Sequence, residues 1–406
     1  MLPDDGSDGH DMSATDAPLS IEAGPRQDAR RTLLVVGVAH ALHDGFTDLI
    51  YVLLPVWQAE FGLGYGMLAV LRGLYAGAMA GLQIPAGRLA ERIGGRTVLA
   101  GGTALAALGY VLAGFSGGLL GLCAALALSG AGSSTQHPIA SAAVSRAYGG
   151  AARGPLGTYN FTGDLGKAAI PAATGVLLTL MPWRPALWLL AALGFVVAAA
   201  VAALLPTGRQ APLAEQSKRQ AGRGQGGFPL LFAIGVLDTG VRMGLLTFLP
   251  FLLGAKGAAL PTVGLALALV FIGGAAGKFA CGWLGGRVGV LRTVLLTEGG
   301  TALAILAVLA LPLAPTLLLL PVLGVLLNGT SSVLYGTVPE LVAEHRTEHA
   351  FALFYTGTIG SGAVAPVLYG VLGDAVGAEW ATAATALTAL ATFPLALALA
   401  PRLAAR

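Results

Sequence analysis

Apolar residues run along this chain in long blocks separated by short polar interruptions, at roughly 33–58, 67–89, 97–115, 118–145, 154–181, 185–205, 228–254, 262–284, 293–312, 316–341, 350–373 and 380–400. A bilayer's hydrocarbon core of about 30 Å takes about 20 helical residues to cross. The pattern therefore predicts an all-α integral membrane protein with twelve transmembrane helices. The polar interruptions alternate in charge. Arg26, Arg30, Arg31, Arg88, Arg92, Arg96, Arg146, Arg153, Arg209, Lys218, Arg219, Arg223, Arg287, Arg292, Arg346, Arg402 and Arg406 fall on one side, while Arg184 and Lys256 fall on the other. Cytoplasmic loops carry the excess of Lys and Arg, so both termini are expected in the cytoplasm and the chain is expected to be multi-pass in the plasma (inner) membrane.

Composition agrees with this reading. The 406 residues are 55% hydrophobic and 11% charged, with a mean hydropathy of +0.77, too apolar for an ordinary soluble domain. Sixty glycines suit close helix packing in lipid. No basic patch is interleaved with aromatics, so no nucleic-acid partner is expected. Cys123 and Cys281 are single cysteines inside predicted helices and imply neither a disulfide framework nor a metal site.

Residues 1–31 are polar and acid-rich and read as a disordered cytoplasmic tail, not as a signal peptide. Segment 206–227 reads as a flexible cytoplasmic linker. It divides a six-helix bundle at 32–205 from a second at 228–406, and the two repeat. At a spacing of 195 residues, Gly45 matches Gly240, Pro55 matches Pro250, Gly87 matches Gly282 and Arg92 matches Arg287; Gly94 then matches Gly289, Pro171 matches Pro366 and Gly175 matches Gly370. The pair Ser133–Ser134 matches Ser331–Ser332 at 198. Parallel six-helix repeats place a substrate site between them near the membrane midplane.

After the second block the chain reads Gly87-Arg-Leu-Ala-Glu91-Arg92-Ile-Gly94-Gly-Arg96. This resembles the loop signature of the major facilitator superfamily, G-x-x-x-D-R-x-G-R-R, with Glu91 in the acid position. Such an acid-and-base set implies a breakable cytoplasmic gate at Gly87, Glu91, Arg92 and Arg96; ordinary anchoring by positive charge is the alternative. The fifth block holds Gly157-x8-Gly166-x3-Ile170-Pro171-x2-Thr174-Gly175. It resembles the antiporter motif of drug-exporting facilitators at Gly157, Gly166, Pro171 and Gly175, though glycine-rich packing alone would look similar. His40-Ala-Leu-His43-Asp44 in the first block and Gly132-Ser133-Ser134-Thr-Gln-His137-Pro138 in the fourth resemble the fosmidomycin-resistance family of exporters. That resemblance implies efflux driven by proton exchange.

Ionisable residues inside predicted spans are costly and mark function by default. They are Asp44, Asp48, Arg72, Asp164, Lys167, Asp238, Arg242, Lys278 and Glu298. Helical spacing puts His40, Asp44 and Asp48 on one face, with His43 beside them. Moving a carboxyl towards or away from a cation changes its hold on a proton, so Asp44, Asp48, His43 and His40 are the expected proton-coupling residues. Arg72, Asp164, Lys167, Asp238, Arg242, His137 and Asn328 are the expected substrate-binding set, because a guanidinium can hold phosphate or carboxylate with two hydrogen bonds. Structural ion pairs Asp164–Lys167 and Asp238–Arg242 are the competing reading, and His137 could equally bond a carbonyl. Glu298 is expected to snorkel or support packing, Lys278 is undecided, and Tyr159, Tyr335 and Tyr355 rank low as cavity residues. Glu340, Glu344, His345, Glu348 and His349 read as a solvated acidic loop in preference to a metal site.

These features point to a monomeric secondary transporter working by alternating access. It would bind a small polar or drug-like molecule and protons within the lipid bilayer, and exchange one for the other. No cofactor, metal or ATP is implied, since no G-x-x-x-x-G-K-[ST] loop occurs, and no enzyme constellation is present. Proton-coupled uptake and a non-transporting membrane sensor are the alternatives.

Overall fold

The computed structural model describes residues 23–206, 226–342 and 347–404, and among these residues it contains helices and turns but no strand. The elements are α1 (Ala23–Phe61), α2 (Tyr65–Gly81), α3 (Gln83–Ile93), α4 (Gly95–Phe115), α5 (Leu119–Ser133), α6 (Gln136–Tyr148) and α7 (Arg153–Leu180). They continue with α8 (Trp183–Leu204), α9 (Phe228–Ala255), α10 (Leu260–Val288), α11 (Val290–Ala310), α12 (Leu313–Thr337), α13 (Thr347–Val376) and α14 (Ala378–Ala404). Helix α1 starts at Ala23, inside the stretch expected to be tail; residues 1–22, most of the expected linker (207–225), and Glu344, His345 and Arg346 of the acidic loop lie outside the described residues.

Nine of the described helices are long and apolar enough to cross a membrane, or ten if α2 and α3, bent by 43°, form one span. The expected second and fourth blocks are each broken. At Leu82, Pro85 follows within the first turn of α3, where its missing N–H does no harm. Between α5 and α6 the Ser134 and Thr135 hydroxyls donate to the Ala131 and Gly132 carbonyls at 2.6 and 3.0 Å. Side-chain bonds of this kind, with Pro138 three residues beyond Thr135, bend a helix.

Large apolar side chains face outward, among them Val196, Leu303 and Leu318, whereas Asp44, Asp48, Arg72, Asp238 and Glu298 are buried. This arrangement suits a molecule whose surroundings are lipid. Within the first stretch α1 packs on α7 and α4 on α8; within the second, α10 packs on α12 and α9 on α13 and α14. Between them α7 meets α10 and α2 meets α13.

Those two meetings are tightest at one end of the molecule, termed the far end because α1 finishes there. A Cβ on Gly175 would lie 2.5 Å from the Leu260 carbonyl oxygen, and one on Gly370 would lie 2.7 Å from the Tyr65 carbonyl oxygen. The two glycines are a matched pair of the 195-residue repeat. The turns repeat as well, since Gly62 and Gly257, like Gly94 and Gly289, hold positive φ at that spacing.

The start of α2 is capped from across the interface. The Asp374 carboxylate accepts from the backbone N–H of Tyr65 at 2.5 Å and of Gly66 at 3.0 Å. Gly64 leaves it room, because a Cβ there would lie 2.7 Å from Asp374 Oδ1. A helix start favours an anion and needs partners for its free N–H groups. Loss of a cap costs about 1 kcal/mol. Asp374→Ala is therefore expected to lower the melting temperature of the purified protein, and an unchanged value would refute the clasp.

Candidate functional site

The site grows from the way α7 lies on α1. A Cβ on Gly166 would strike the Ala41 carbonyl, and one on Gly163 would sit 2.6 Å from both Asp44 Oδ2 and His40 Cε1. Glycine at both positions lets the two backbones close up and leaves space over the α1 stripe. The antiporter-like motif is thus split in its roles: Gly166 and Gly175 make contacts and Pro171 is buried, while Gly157 faces open space.

Asp44 is the hub of the cluster. Its carboxylate lies 3.3 Å from Lys167 Nζ, 3.4 Å from His40 Nε2 and 3.9 Å from His137 Nε2. The rings of His40 and His137 meet edge-on at 5.2 Å, and His40 stacks on Tyr159 at 4.1 Å. His40 Nδ1 lies 2.8 Å from the Tyr159 carbonyl oxygen. A carbonyl only accepts, so Nδ1 carries the hydrogen. In the neutral ring Nε2 is then a bare lone pair, and it is a buried atom without a hydrogen-bond partner. It faces the Asp44 carboxylate across a gap that one proton would bridge.

His40, Asp44 and His137 also lie close enough to share a metal ion. The Lys167 ammonium against the same carboxylate opposes a second cation there.

The structure directs His43 elsewhere. Its Nε2 meets Thr103 Oγ1 at 3.0 Å and its Nδ1 meets Ser133 Oγ at 3.1 Å. Thr103 spends its hydrogen on the Leu99 carbonyl, so His43 Nε2 donates and Nδ1 accepts. Both nitrogens are satisfied in the neutral ring, leaving no lone pair for an incoming proton. Asp48, a turn beyond Asp44, lies 3.8 Å from Arg72, which also covers the Tyr51 ring at 5.3 Å.

The two within-helix ion pairs of the competing reading, Asp164–Lys167 and Asp238–Arg242, do not form within 4 Å. Lys167 turns to Asp44, and Asp164 instead accepts from Lys278 of α10 at 2.6 and 2.8 Å, a bridge between the two stretches. Arg242 has no carboxylate within 4 Å among the described residues. Its guanidinium reaches Asn328 Oδ1 and Thr239 Oγ1, each at 3.5 Å, and its Nε is buried without a partner. Asp238 and Glu298 are both buried. Glu298 thus neither snorkels nor sits at the periphery: it is 2% exposed. A threonine stripe at Thr293, Thr297 and Thr301, all buried, marks that face of α11 and was the signal in the sequence. Tyr335 hydrogen-bonds Thr358 at 3.3 Å, and Tyr355 is exposed beside it. Of the gate signature, Glu91 and Arg92 are exposed, Gly87 has free space around it, and Arg96 donates to the Leu205 carbonyl.

Comparison with known proteins follows the same line. The Major Facilitator Superfamily model matches residues 36–233 and 230–406. The cephamycin export protein CmcT of Amycolatopsis lactamdurans is 31% identical over 189 residues, which cover 45% of this chain and 38% of that protein. The match therefore spans under two fifths of the relative's length. A bacterial homologue of the human lysosomal transporter Spinster, solved inward-facing and occupied, superposes with a TM-score of 0.74 at 15% identity, covering 91% of this chain and 96% of that one. The peptide transporter POT in complex with sulfate gives 0.73 at 15% identity, over 93% and 98%. Likeness at that identity concerns the fold alone.

Proposed function

Since the chain belongs to the major facilitator superfamily, we propose that it exports a small polar or drug-like anion by alternating access, in exchange for protons. Taking α2–α3 and α5–α6 each as one bent span gives twelve spans in two groups of six. With both termini cytoplasmic in the plasma membrane, the packed far end is the outer face. Export as the direction draws support from the cephamycin exporter to which part of the chain is similar.

One observation carries the coupling: the bare His40 Nε2 facing Asp44 Oδ2 at 3.4 Å, with Lys167 on that same oxygen at 3.3 Å. A proton entering this gap makes an imidazolium–carboxylate pair or a neutral acid. Either occupies the Asp44 oxygens that a polar substrate's donor groups would otherwise use, so proton and substrate compete for one carboxylate. Loss of the proton restores that acceptor beside the Lys167 ammonium. Substrate and proton then occupy the site in turn, as antiport requires.

The test is a susceptibility screen of cells carrying the protein against many toxic compounds, cephamycins and phosphonates included. Reduced susceptibility to at least one, lost when a proton ionophore collapses the gradient, is the expected result. Resistance that survives the ionophore would end the coupling reading.

Arg242, free of any acid partner within 4 Å among the described residues, is the second anchor for an anion. A hydrogen bond to a charged group contributes about 1.5–3 kcal/mol, so Arg242→Gln is expected to weaken anion binding by roughly ten- to a hundredfold. Unchanged affinity in a direct binding assay would remove Arg242 from the site.

A further inference from the structure

We propose that Asp374 is a latch on the far end of the molecule: its carboxylate, on α13, ties down the start of α2 and sets how often the two groups of helices part there. The inference rests on the alternating access proposed above, and it assigns control of that motion to a residue outside the Asp44 cluster.

The two halves build the same junction in different ways. Gly64, Tyr65 and Gly66 at the start of α2 match Ala259, Leu260 and Pro261 at the start of α10, again at a spacing of 195 residues. Asp374 of α13 matches Thr179 of α7 at that spacing. A helix start leaves its first N–H groups without partners inside the helix. At α10, Pro261 has no N–H to satisfy, and the helix start takes no side-chain cap. Thr179 stays with its own helix, where its hydroxyl donates to the Val176 carbonyl at 2.7 Å. At α2 both N–H groups are present, and the Asp374 carboxylate takes them, Tyr65 on Oδ1 and Gly66 on Oδ2.

The surroundings are shaped for this contact. A Cβ on Gly66 would lie 3.0 Å from Asp374 Oδ2 and 3.2 Å from Val371 Cγ2, so glycine at 64 and at 66 makes the cradle for the carboxylate. The Tyr65 ring rests against Phe248 and Phe251 of α9, with centroids 5.5 and 5.1 Å apart. Other charges at this end are spent within one group of helices. Arg184 pairs with Glu60 at 2.8 Å, and Lys256 donates to the Leu309 and Leu311 carbonyls. Among the described residues, Asp374 is the charged group that reaches across the far end.

Such a contact holds and still lets go. Hydrogen bonds to an ionised acceptor are about twice as strong as neutral ones, and an anion at a helix start also meets the positive end of the helix dipole. Asp374 is nevertheless exposed, so water takes over its oxygens as the helices separate. On the α7–α10 side the corresponding contact is one of shape, Gly175 against the Leu260 carbonyl. One carboxylate therefore biases the opening of the whole far end.

Pulsed spin-label distance measurements on the full chain in lipid vesicles test the latch. Labels go on Ala59→Cys and Ala255→Cys, at the exposed far ends of α1 and α9, with Cys123→Ser and Cys281→Ser in the background. In Asp374→Asn the amide oxygen can still accept from Tyr65, but the amide nitrogen sets a donor against the Gly66 N–H, and the helix start loses its anion. The longer-distance population is expected to rise roughly tenfold. Thr179→Val, at the matched position, is expected to leave the distribution as in wild type. Should Asp374→Asn not yield monodisperse protein, Asp374→Ser replaces it and must show the same rise. A distribution unmoved in the Asp374 variant, even with a lower melting temperature, or moved equally by Thr179→Val, overturns the proposal. The distances need no transported compound, so a susceptibility screen that fails would count against the export reading and not against the latch.

Discussion

Asp44→Asn is expected to remove the proposed export altogether: cells carrying the variant should become as susceptible as cells without the protein, while the yield of folded protein stays the same. Asparagine keeps the shape of the protonated acid and its hydrogen-bonding capacity, but it cannot take up or give back a proton. The cluster is then fixed in one protonation state. Lys167, 3.3 Å from the acid in the native protein, loses its counter-charge and stays available to the substrate anion. Binding therefore survives, and exchange of labelled for unlabelled substrate across vesicles at equal pH continues. Uphill movement driven by a pH difference stops. A variant that still pumps against a gradient would show that the proton travels by another route.

The second large effect is on assembly. Gly166→Val is expected to prevent accumulation of folded protein. The added carbon would land on the Ala41 carbonyl of α1, and main chain cannot move aside as a side-chain tip can. Overpacking typically costs about 1–3 kcal/mol, and a clash with backbone belongs at or above the upper end. Gly157, in the same motif, faces open space, so Gly157→Ala should be neutral or stabilise the helix by up to about 1 kcal/mol. Monodispersity and melting temperature of the two variants separate the outcomes. Equal behaviour would show that the motif packs in some other way.

Much of the architecture was legible because it depends on local composition. Block length and charge alternation located most helices to within a few residues, and the spacing of 195 anticipated Gly94 with Gly289 and Gly175 with Gly370. The breaks at Leu82 and Ser134 were not legible, since apolar content runs through both; Pro85, Pro138 and two hydroxyl-to-carbonyl bonds decide them. Partner choice was the larger failure. Asp164 and Lys167 are three apart and look like a pair, yet about 60° of helix rotation separates them, enough to face different neighbours. Lys167 meets α1 and Asp164 meets α10. His43 adjoins Asp44 in sequence but points into a core of Ser133 and Thr103. Asp238 and Glu298, both buried, lie on two helices whose adjacency only the packing reveals.

At the far end, Gly175 and Gly370 bring polypeptide against polypeptide at two places around the periphery. Side chains can flex to leave a slit; main chain touching main chain cannot. Under the proposed alternating access such a seal has no partly ajar setting, so it would part as a whole when the bundles tilt. A carrier closed in this manner would keep small ions from slipping past during each turnover, and the proposed driving gradient would not be dissipated.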